Sequence, residues 1–234
     1  MTTEILHSHL APAAEARRAG GALHAPGVVL VGCAALSMAL LAVHPGGSPT
    51  TFLDMLKDEA ANQGPDALIH GGFVGVLAVE MACLASLAAR LGAGRARVLT
   101  ALVFTAAGSL ALAESMIFDG LVTPAIAVKY LAAPPEKLEA ARTLIALCGL
   151  MIRFLMPLGL AFQAAGILAW STALYGRGDA ARWTAIAGLA LGGGALAALA
   201  ATVAALNPLV AMGALGAQIL WTGAVGAVMA RGRL

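Results

Sequence analysis

The chain has 234 residues, of which 60% are hydrophobic and 11% are charged, and its formal net charge is +2. Soluble domains average about 25% charged residues and about 45–50% apolar ones, so this composition excludes an ordinary soluble protein. The small net charge also gives no reason to expect a nucleic-acid partner. The sequence therefore predicts an integral membrane protein that is embedded in the lipid bilayer.

Six apolar stretches are long enough to cross the membrane as helices, which takes about 20 residues each. They are rich in Ala, Leu and Gly and lack the period-two alternation of a membrane β-barrel. The predicted spans cover about 27–43, 69–91, 98–118, 144–174, 183–206 and 209–230. The predicted fold is all-α: a polytopic bundle of six transmembrane helices in one domain, 27–234, after a short tail, 1–26.

The tail contains His7 and His9, but we expect a solvated segment there and assign it no site. The first span ends at His44, where Pro45 and two glycines stop the helix. The next stretch, TTFLDMLKDEAANQG, has its apolar residues on one side. This pattern predicts a short amphipathic helix that lies on the membrane surface and covers the site as a lid.

The second and third spans carry ionisable side chains. The second begins near His70 and has Glu80 about midway, while the third has Glu114 near its end and Asp119 at its boundary. A glycine and a proline follow Asp119 and predict an interruption of the helix. Ionisable groups at membrane depth are costly to insert, so these positions indicate either a function or a buried partner.

The fourth span carries Arg153 about one turn before a proline, followed by Gln163, and the sixth span carries Gln218. Glycines crowd the last two spans: Gly188, Gly192, Gly193 and Gly194 in the fifth, and Gly213, Gly216, Gly223 and Gly226 in the sixth. Small residues let helix backbones approach closely, so we expect close packing within the bundle. A homo-oligomer, or contact with another membrane subunit, is the alternative use of these glycines.

The three cysteines, Cys33, Cys83 and Cys148, each lie inside a predicted span. Their odd number and the absence of a paired CxxC spacing argue against a disulfide framework and against a zinc site. We expect them to be small apolar packing residues.

Basic residues are distributed unevenly between the two sets of span ends. One set holds Arg17, Arg18, Arg90, Arg95, Arg97, Arg177, Arg182, Arg231 and Arg233. The opposite set holds Lys57, Lys129, Lys137 and Arg142 among six carboxylates. Short loops rich in Lys and Arg stay in the cytoplasm. The sequence therefore predicts that both termini are cytoplasmic and that the long loops, about 45–68 and 120–140, lie outside.

A helix rises 1.5 Å per residue, so the depth of each polar side chain can be compared. Most of them fall in the outer half of the membrane or at its outer boundary: His44, His70, Glu114, Asp119 and Arg153. We interpret this group as an outward-facing site for a cation or a small polar solute, with Glu80 as a candidate proton relay. His44, His70 and Asp119 are the candidate ligands of any metal ion.

Three other interpretations stay open. In the first, Arg153 forms a buried pair with Glu114 or Glu80 and nothing binds. In the second, His44 and His70 are the axial ligands of haem b in an electron-transfer protein. In the third, the chain is a non-catalytic accessory subunit that packs through its glycine-rich spans. No nucleophile–base arrangement, HExxH motif or phosphate-binding loop is present, which favours a protein that is not an enzyme.

Four short motifs flank the site positions. HPGG ends the first span, IHGGF opens the second, FDGLVTPAIA leaves the third, and APPEKLEAAR leads into the fourth. Together they resemble a group of uncharacterised six-helix integral membrane proteins of bacteria. The resemblance implies the six-helix topology and the bacterial cytoplasmic (inner) membrane, and it marks His44, His70 and Asp119. It implies no activity, cofactor or substrate.

Overall fold

A computed structural model of the chain describes residues 23–44, 50–202 and 207–234. Every regular element within these ranges is helical. In chain order they are α1 His24–Ala42, α2 Phe52–Leu91, α3 Ala96–Ile117, a π-helix Phe118–Val122, α4 Thr123–Tyr130, α5 Pro135–Leu174, α6 Asp179–Ala201 and α7 Pro208–Ala230. Most of the predicted tail, including His7 and His9, lies outside the described residues, and so does the predicted end of the fifth span, 203–206.

Six helical segments of the described chain are long and apolar enough to cross a membrane. They are α1, α2, α5, α6, α7 and the continuous segment from Ala96 to Tyr130, which joins α3, the π-helix and α4. The prediction of an all-α, polytopic six-helix protein is therefore confirmed. The protein is a multi-pass membrane protein.

The six segments form a ring in chain order. Each packs on its successor, and α7 returns to pack on α1. The closing contact depends on Gly27 and Gly226, because a β-carbon added at either position would collide with the facing helix. The largest core cluster lies at the end of the ring where α2 and α5 finish, around the fully buried side chains of Leu87, Trp170 and Met229.

The two ends of the bundle differ in charge. We call the end where α1 stops the His44 end. The opposite end, where α2 stops and α3 begins, we call the arginine end, and in the described residues it carries Arg90, Arg95, Arg97, Arg177, Arg182, Arg231 and Arg233.

The small residues of the predicted spans have two kinds of surroundings. A β-carbon at Gly192 would lie 2.9 Å from the backbone oxygen of Ala164, so α6 and α5 approach closely there. In contrast, four other glycines have no atom of the described chain within 4 Å of the corresponding position, apart from the backbone of their own helix: Gly193, Gly194, Gly213 and Gly216. Cys33, Cys83 and Cys148 are free and buried, as expected of packing residues.

The first turns of α2 differ from the prediction. The segment expected to form a separate surface helix is continuous with the second span, and α2 runs for 40 residues through Pro65. It begins where Thr51 Oγ1 accepts a hydrogen bond from the backbone N–H of Asp54, at 3.1 Å, and donates one to the Asp54 carboxylate, at 2.7 Å. Pro65 removes one helical hydrogen bond, but α4 packs along α2 and supports it. The prediction of a separate surface helix is therefore wrong.

Candidate functional site

Three of the predicted site residues meet at the His44 end. Nε2 of His44 lies 3.4 Å from Nε2 of His70, and Nε2 of His70 lies 3.2 Å from Oδ2 of Asp119. The three side chains come from the end of α1, from α2 and from the π-helix. We call them the His–His–Asp cluster.

The backbone of α2 fixes the orientation of the His70 ring. Its Nδ1 lies 3.0 Å from the carbonyl oxygen of Asp66, one turn earlier. A carbonyl oxygen only accepts hydrogen bonds, so Nδ1 carries a proton and donates it. In a neutral ring, Nε2 then has a lone pair and no proton. That lone pair faces the carboxylate oxygen of Asp119, and the two repel unless a proton or another cation lies between them.

The π-helix places Asp119 opposite His70. Pro124 has no N–H to donate to the carbonyl of Gly120, and in an α-helix its ring would collide with that carbonyl. The chain responds with a wider turn, in which the N–H of Thr123 and its hydroxyl, at 2.8 Å, both donate to the carbonyl of Phe118. The predicted interruption of the third span is thus a π-helix and not a break.

Gly120 makes room for the His70 ring. A β-carbon at residue 120 would overlap the imidazole of His70, so the ring packs directly on the backbone of the π-helix. Short π-helical turns within longer helices are frequently found at functional sites. Gly120 and Pro124 of the FDGLVTP motif therefore both help to position the cluster.

A cavity of about 100 Å³ adjoins the cluster. Its remaining walls are apolar and include the thioether side chains of Met116, Met156 and Met212. Pockets for drug-sized ligands begin at roughly 300 Å³, so this cavity suits an ion with a few waters better than an organic solute. The Asp119 side chain is 41% exposed and that of His70 only 4%, which leaves the cavity open on the Asp119 side.

Two further carboxylates lie close to the cluster, on the polar part of α2, 52–68, which precedes the apolar span. Asp66 is buried and Glu59 is half-buried. Burial, reinforced by the carboxylates of Asp66 and Asp119, raises the pKa of Glu59 to about 7. At neutral pH this group is therefore partly protonated, and the cluster faces less negative charge than the sequence indicates.

Sequence reasoning missed Glu59, Asp66 and Gly120 as parts of the site. For Asp66 a signal was present, since it precedes His70 by four residues and must lie one helical turn away if the helix continues. The approach of Glu59 to Asp119 depends on how α2 and the π-helix pack, and no local pattern encodes it.

Glu80 lies deeper in the bundle and outside the cluster. It is buried on the same face of α2 as His70, ten residues further on, which is about 15 Å along the helix axis. Its carboxyl group interacts with the buried side chain of Gln218 on α7.

Glu114 and Arg153 do not line the cavity of the cluster. Glu114 is exposed on α3, because the five residues that separate it from Asp119 rotate it by about 140° around the helix. Arg153 is exposed and lines a separate groove between α5 and α6. The structure thus brings together three of the five predicted cluster residues.

Comparison of the chain with protein-family models, with curated proteins and with solved structures gives no match. The chemistry of the site itself is therefore the guide to function.

Proposed function

We propose that the chain binds a first-row transition-metal cation at the His–His–Asp cluster. One observation carries the proposal: two imidazole nitrogens and a carboxylate oxygen converge, with separations of 3.4 and 3.2 Å. Ligand atoms at about 2.0–2.1 Å from a tetrahedral zinc ion are about 3.3 Å from each other. The separations of 3.4 and 3.2 Å in the cluster are close to this value.

The donor set selects the class of cation. Imidazole nitrogen suits zinc, copper and nickel, whereas calcium and magnesium prefer shells made of oxygen. The hydrogen bond from His70 Nδ1 to the Asp66 carbonyl is the support that metal-binding histidines usually have. The three thioethers of the cavity wall offer soft donors that calcium and magnesium do not use.

Binding requires one movement. Among residues 23–44, 50–202 and 207–234, no three His, Cys, Asp or Glu side chains are already assembled as a metal site. His44 is exposed and follows the last turn of α1, so its ring can turn toward Asp119 without disturbing the core. We expect the cation to draw His44 inward and to complete the set.

The geometry favours a metal ion over haem b. Two axial histidines must leave a porphyrin ring between them, whereas the His44 and His70 rings here are in edge contact, with centroids 5.0 Å apart. The adjoining cavity of about 100 Å³ is also far too small for a macrocycle.

We place the His44 end outside the bacterial cytoplasmic membrane and both termini in the cytoplasm, because the arginine end has the charge of a cytoplasmic face. A fluorescent protein fused to the C-terminus should then fold in the cytoplasm and fluoresce, whereas an alkaline phosphatase fusion should be inactive. The reverse result would contradict this orientation. With the cluster outside and Glu80 about 15 Å below His70, metal passage linked to a proton is the transport function that we propose.

Metal titration of the purified full chain tests the proposed function. After treatment with a chelator, we expect one equivalent of zinc or copper to bind, measured by calorimetry and by metal analysis, and no comparable binding of magnesium. His44→Ala, His70→Ala and Asp119→Asn should each weaken binding at least tenfold, because each removes a ligand.

His24→Ala is the matched control for this titration. His24 is also exposed, but it lies at the arginine end, where its Nδ1 donates to the carbonyl of Ala230 at 2.7 Å. Its replacement should leave metal binding unchanged. Equal binding by all of the variants, or no binding by the unaltered chain, would reject the metal site.

A second candidate function is that of an accessory subunit. It is favoured by the glycines of α6 and α7 that have no atom within 4 Å in front of them, since such surfaces let another helix approach closely. A native mass spectrum that shows a copurified membrane protein would support it, and a spectrum with only this chain would argue against it.

A further inference from the structure

Three arginines surround a pocket at the arginine end. Arg95, Arg97 and Arg177 line a cavity of about 560 Å³ between the start of α3 and the end of α5. We call it the arginine pocket. No carboxylate is among its lining residues, and the ion pairs of the described chain, His70–Asp119 and Arg142–Glu139, involve none of the three.

Two of the three arginine side chains contact backbone carbonyls of another part of the bundle and keep further N–H donors. Arg177 Nη2 donates to the carbonyl of Leu91, at 3.3 Å, and Arg97 Nη1 approaches the carbonyl of Thr172, at 3.5 Å. A guanidinium group has five N–H donors in a planar fork, so these contacts leave most of them available. Forked donors of this kind bind the oxygens of phosphate groups in pairs.

The first turn of α3 adds to the positive potential of the pocket. The helix begins at Ala96, which lines the pocket, and the side chain of its N-cap residue, Arg95, makes no capping hydrogen bond. The N–H of Val98 donates to the Arg95 carbonyl at 3.0 Å, so the helix end contributes mainly its partial charge. Helix N-termini carry a partial positive charge and free N–H donors, and both favour an anion. The pocket therefore combines three full charges with the positive end of a helix.

Apolar surface leads from the pocket toward the middle of the membrane. Leu99 and Val103, one helical turn apart on α3, are 52% and 57% exposed, and Val98 forms part of the pocket wall. A ligand with a charged head and an apolar tail would place the head among the arginines and the tail along α3. Anionic lipids have this construction, and basic pockets between transmembrane helices bind their headgroups.

We propose that the arginine pocket binds the phosphate of an anionic phospholipid headgroup, whose negative charge is not balanced by a cationic group as it is in phosphatidylcholine. This site is independent of the metal site at the other end of the bundle. A failed metal titration would therefore not bear on the lipid proposal, and a failed lipid-binding experiment would not bear on the metal proposal.

Lipid binding to the purified full chain tests the proposal. Native mass spectrometry and thermal unfolding in detergent should show that phosphatidylglycerol binds and raises the melting temperature, whereas phosphatidylcholine has little effect. Arg97→Gln and Arg177→Gln should each weaken phosphatidylglycerol binding about tenfold, and the double variant should abolish it. Arg90→Gln is the control, because Arg90 is exposed at the same end but does not line the pocket.

Each result supports or rejects the proposal. Equal binding of phosphatidylcholine and phosphatidylglycerol by the unaltered chain, a measurement that needs no variant, would reject a site for an anionic headgroup. Inorganic phosphate can be added as a competitor at millimolar concentration. If it binds and displaces the lipid completely, the pocket is a site for free phosphate and not for a lipid headgroup. If Arg90→Gln weakens lipid binding as much as Arg97→Gln does, the effect comes from the overall positive charge of the arginine end. This result would reject a specific site in the arginine pocket.

Discussion

His70 occupies its position only because residue 120 has no side chain. The imidazole packs on the backbone of Gly120, and its Nδ1 donates to Asp66. These two contacts aim Nε2 at Asp119 and His44. At the scale of single residues, the orientation of the cluster therefore depends on the Asp66 carbonyl and on Gly120 as well as on the three cluster side chains.

Gly120→Ala should displace the His70 ring. We expect it to weaken metal binding at least tenfold and to lower the free energy of unfolding by about 1–3 kcal/mol, the usual cost of overpacking. Calorimetric titration and thermal unfolding measure the two effects. Gly75→Ala is the control, because it also lies in the bundle, on α2, with no atom within 4 Å. If Gly120→Ala binds metal like the unaltered chain, His70 does not bind it from this position.

Glu80→Gln should slow metal transport without changing metal binding. Glutamine keeps the shape of the side chain but carries no proton that it can release, and residue 80 lies about 15 Å from residue 70 along the axis of α2. We expect unchanged metal affinity and at least tenfold slower metal uptake into proteoliposomes. Glu114→Gln, which neutralises an exposed carboxylate outside the cavity, should have no effect on uptake. Unchanged uptake in Glu80→Gln would exclude a role for this carboxyl in transport.

Two elements are longer than the membrane requires. α2 and α5 each contain 40 residues, or about 60 Å of helix, about twice the thickness of the hydrocarbon core. Their extensions meet at the His44 end, where the Arg142 guanidinium lies 4.8 Å from the centre of the Phe52 ring. The part of α2 that carries Glu59 and Asp66 is thus continuous with the second span and contacts the extension of α5.

Thr51→Ala should loosen the start of α2. Loss of an N-cap costs about 1 kcal/mol, which corresponds to a roughly fivefold larger opening equilibrium. Hydrogen exchange of the amides of about 52–60 should accelerate by this factor, while the rest of the chain is unaffected. Thr143→Ala is the control, since this exposed threonine of α5 bonds only to the carbonyl of Glu139 in its own helix. Unchanged exchange at the start of α2 would show that Thr51 does not stabilise it.

Hydropathy predicted the number and order of the spans because it reports contact with lipid. It did not predict how far a helix continues in water, so the polar extension of α2 was assigned to a separate element. At the residue level, depth along each helix correctly placed His44, His70 and Asp119 at one end. The depth of a residue along a helix does not indicate which side of the helix it occupies. For this reason Glu114 was expected in the cluster, although it is exposed on another side of α3.

The ring is closed by the contact between its first and last helices. All neighbours in the ring are consecutive in sequence except α7 and α1. There, a β-carbon at Gly226 would lie 2.8 Å from the carbonyl oxygen of Gly27 and 2.9 Å from the amide nitrogen of Val31. Backbone atoms cannot move aside as side-chain ends can, so this closing contact tolerates no added atom.

Gly226→Ala should open the ring. We expect the free energy of unfolding to fall by about 1–3 kcal/mol through overpacking, measured by thermal or denaturant unfolding in detergent. Gly216→Ala, on the same helix with no atom within 4 Å, should leave it unchanged or raise it slightly. Equal stability of the two variants would mean that α1 and α7 are not held together at this point.

The order of the ring also bears on how the protein is made. Because neighbours in the ring are neighbours in sequence, each helix can dock on the one inserted just before it while the ribosome is still translating. His44, His70 and Asp119 belong to the first three membrane-crossing segments and the turn after the first of them, whereas Met156 and Met212 come later, on α5 and α7. During biogenesis the three cluster residues therefore emerge first, and the cavity is enclosed only when α5 and α7 are in place.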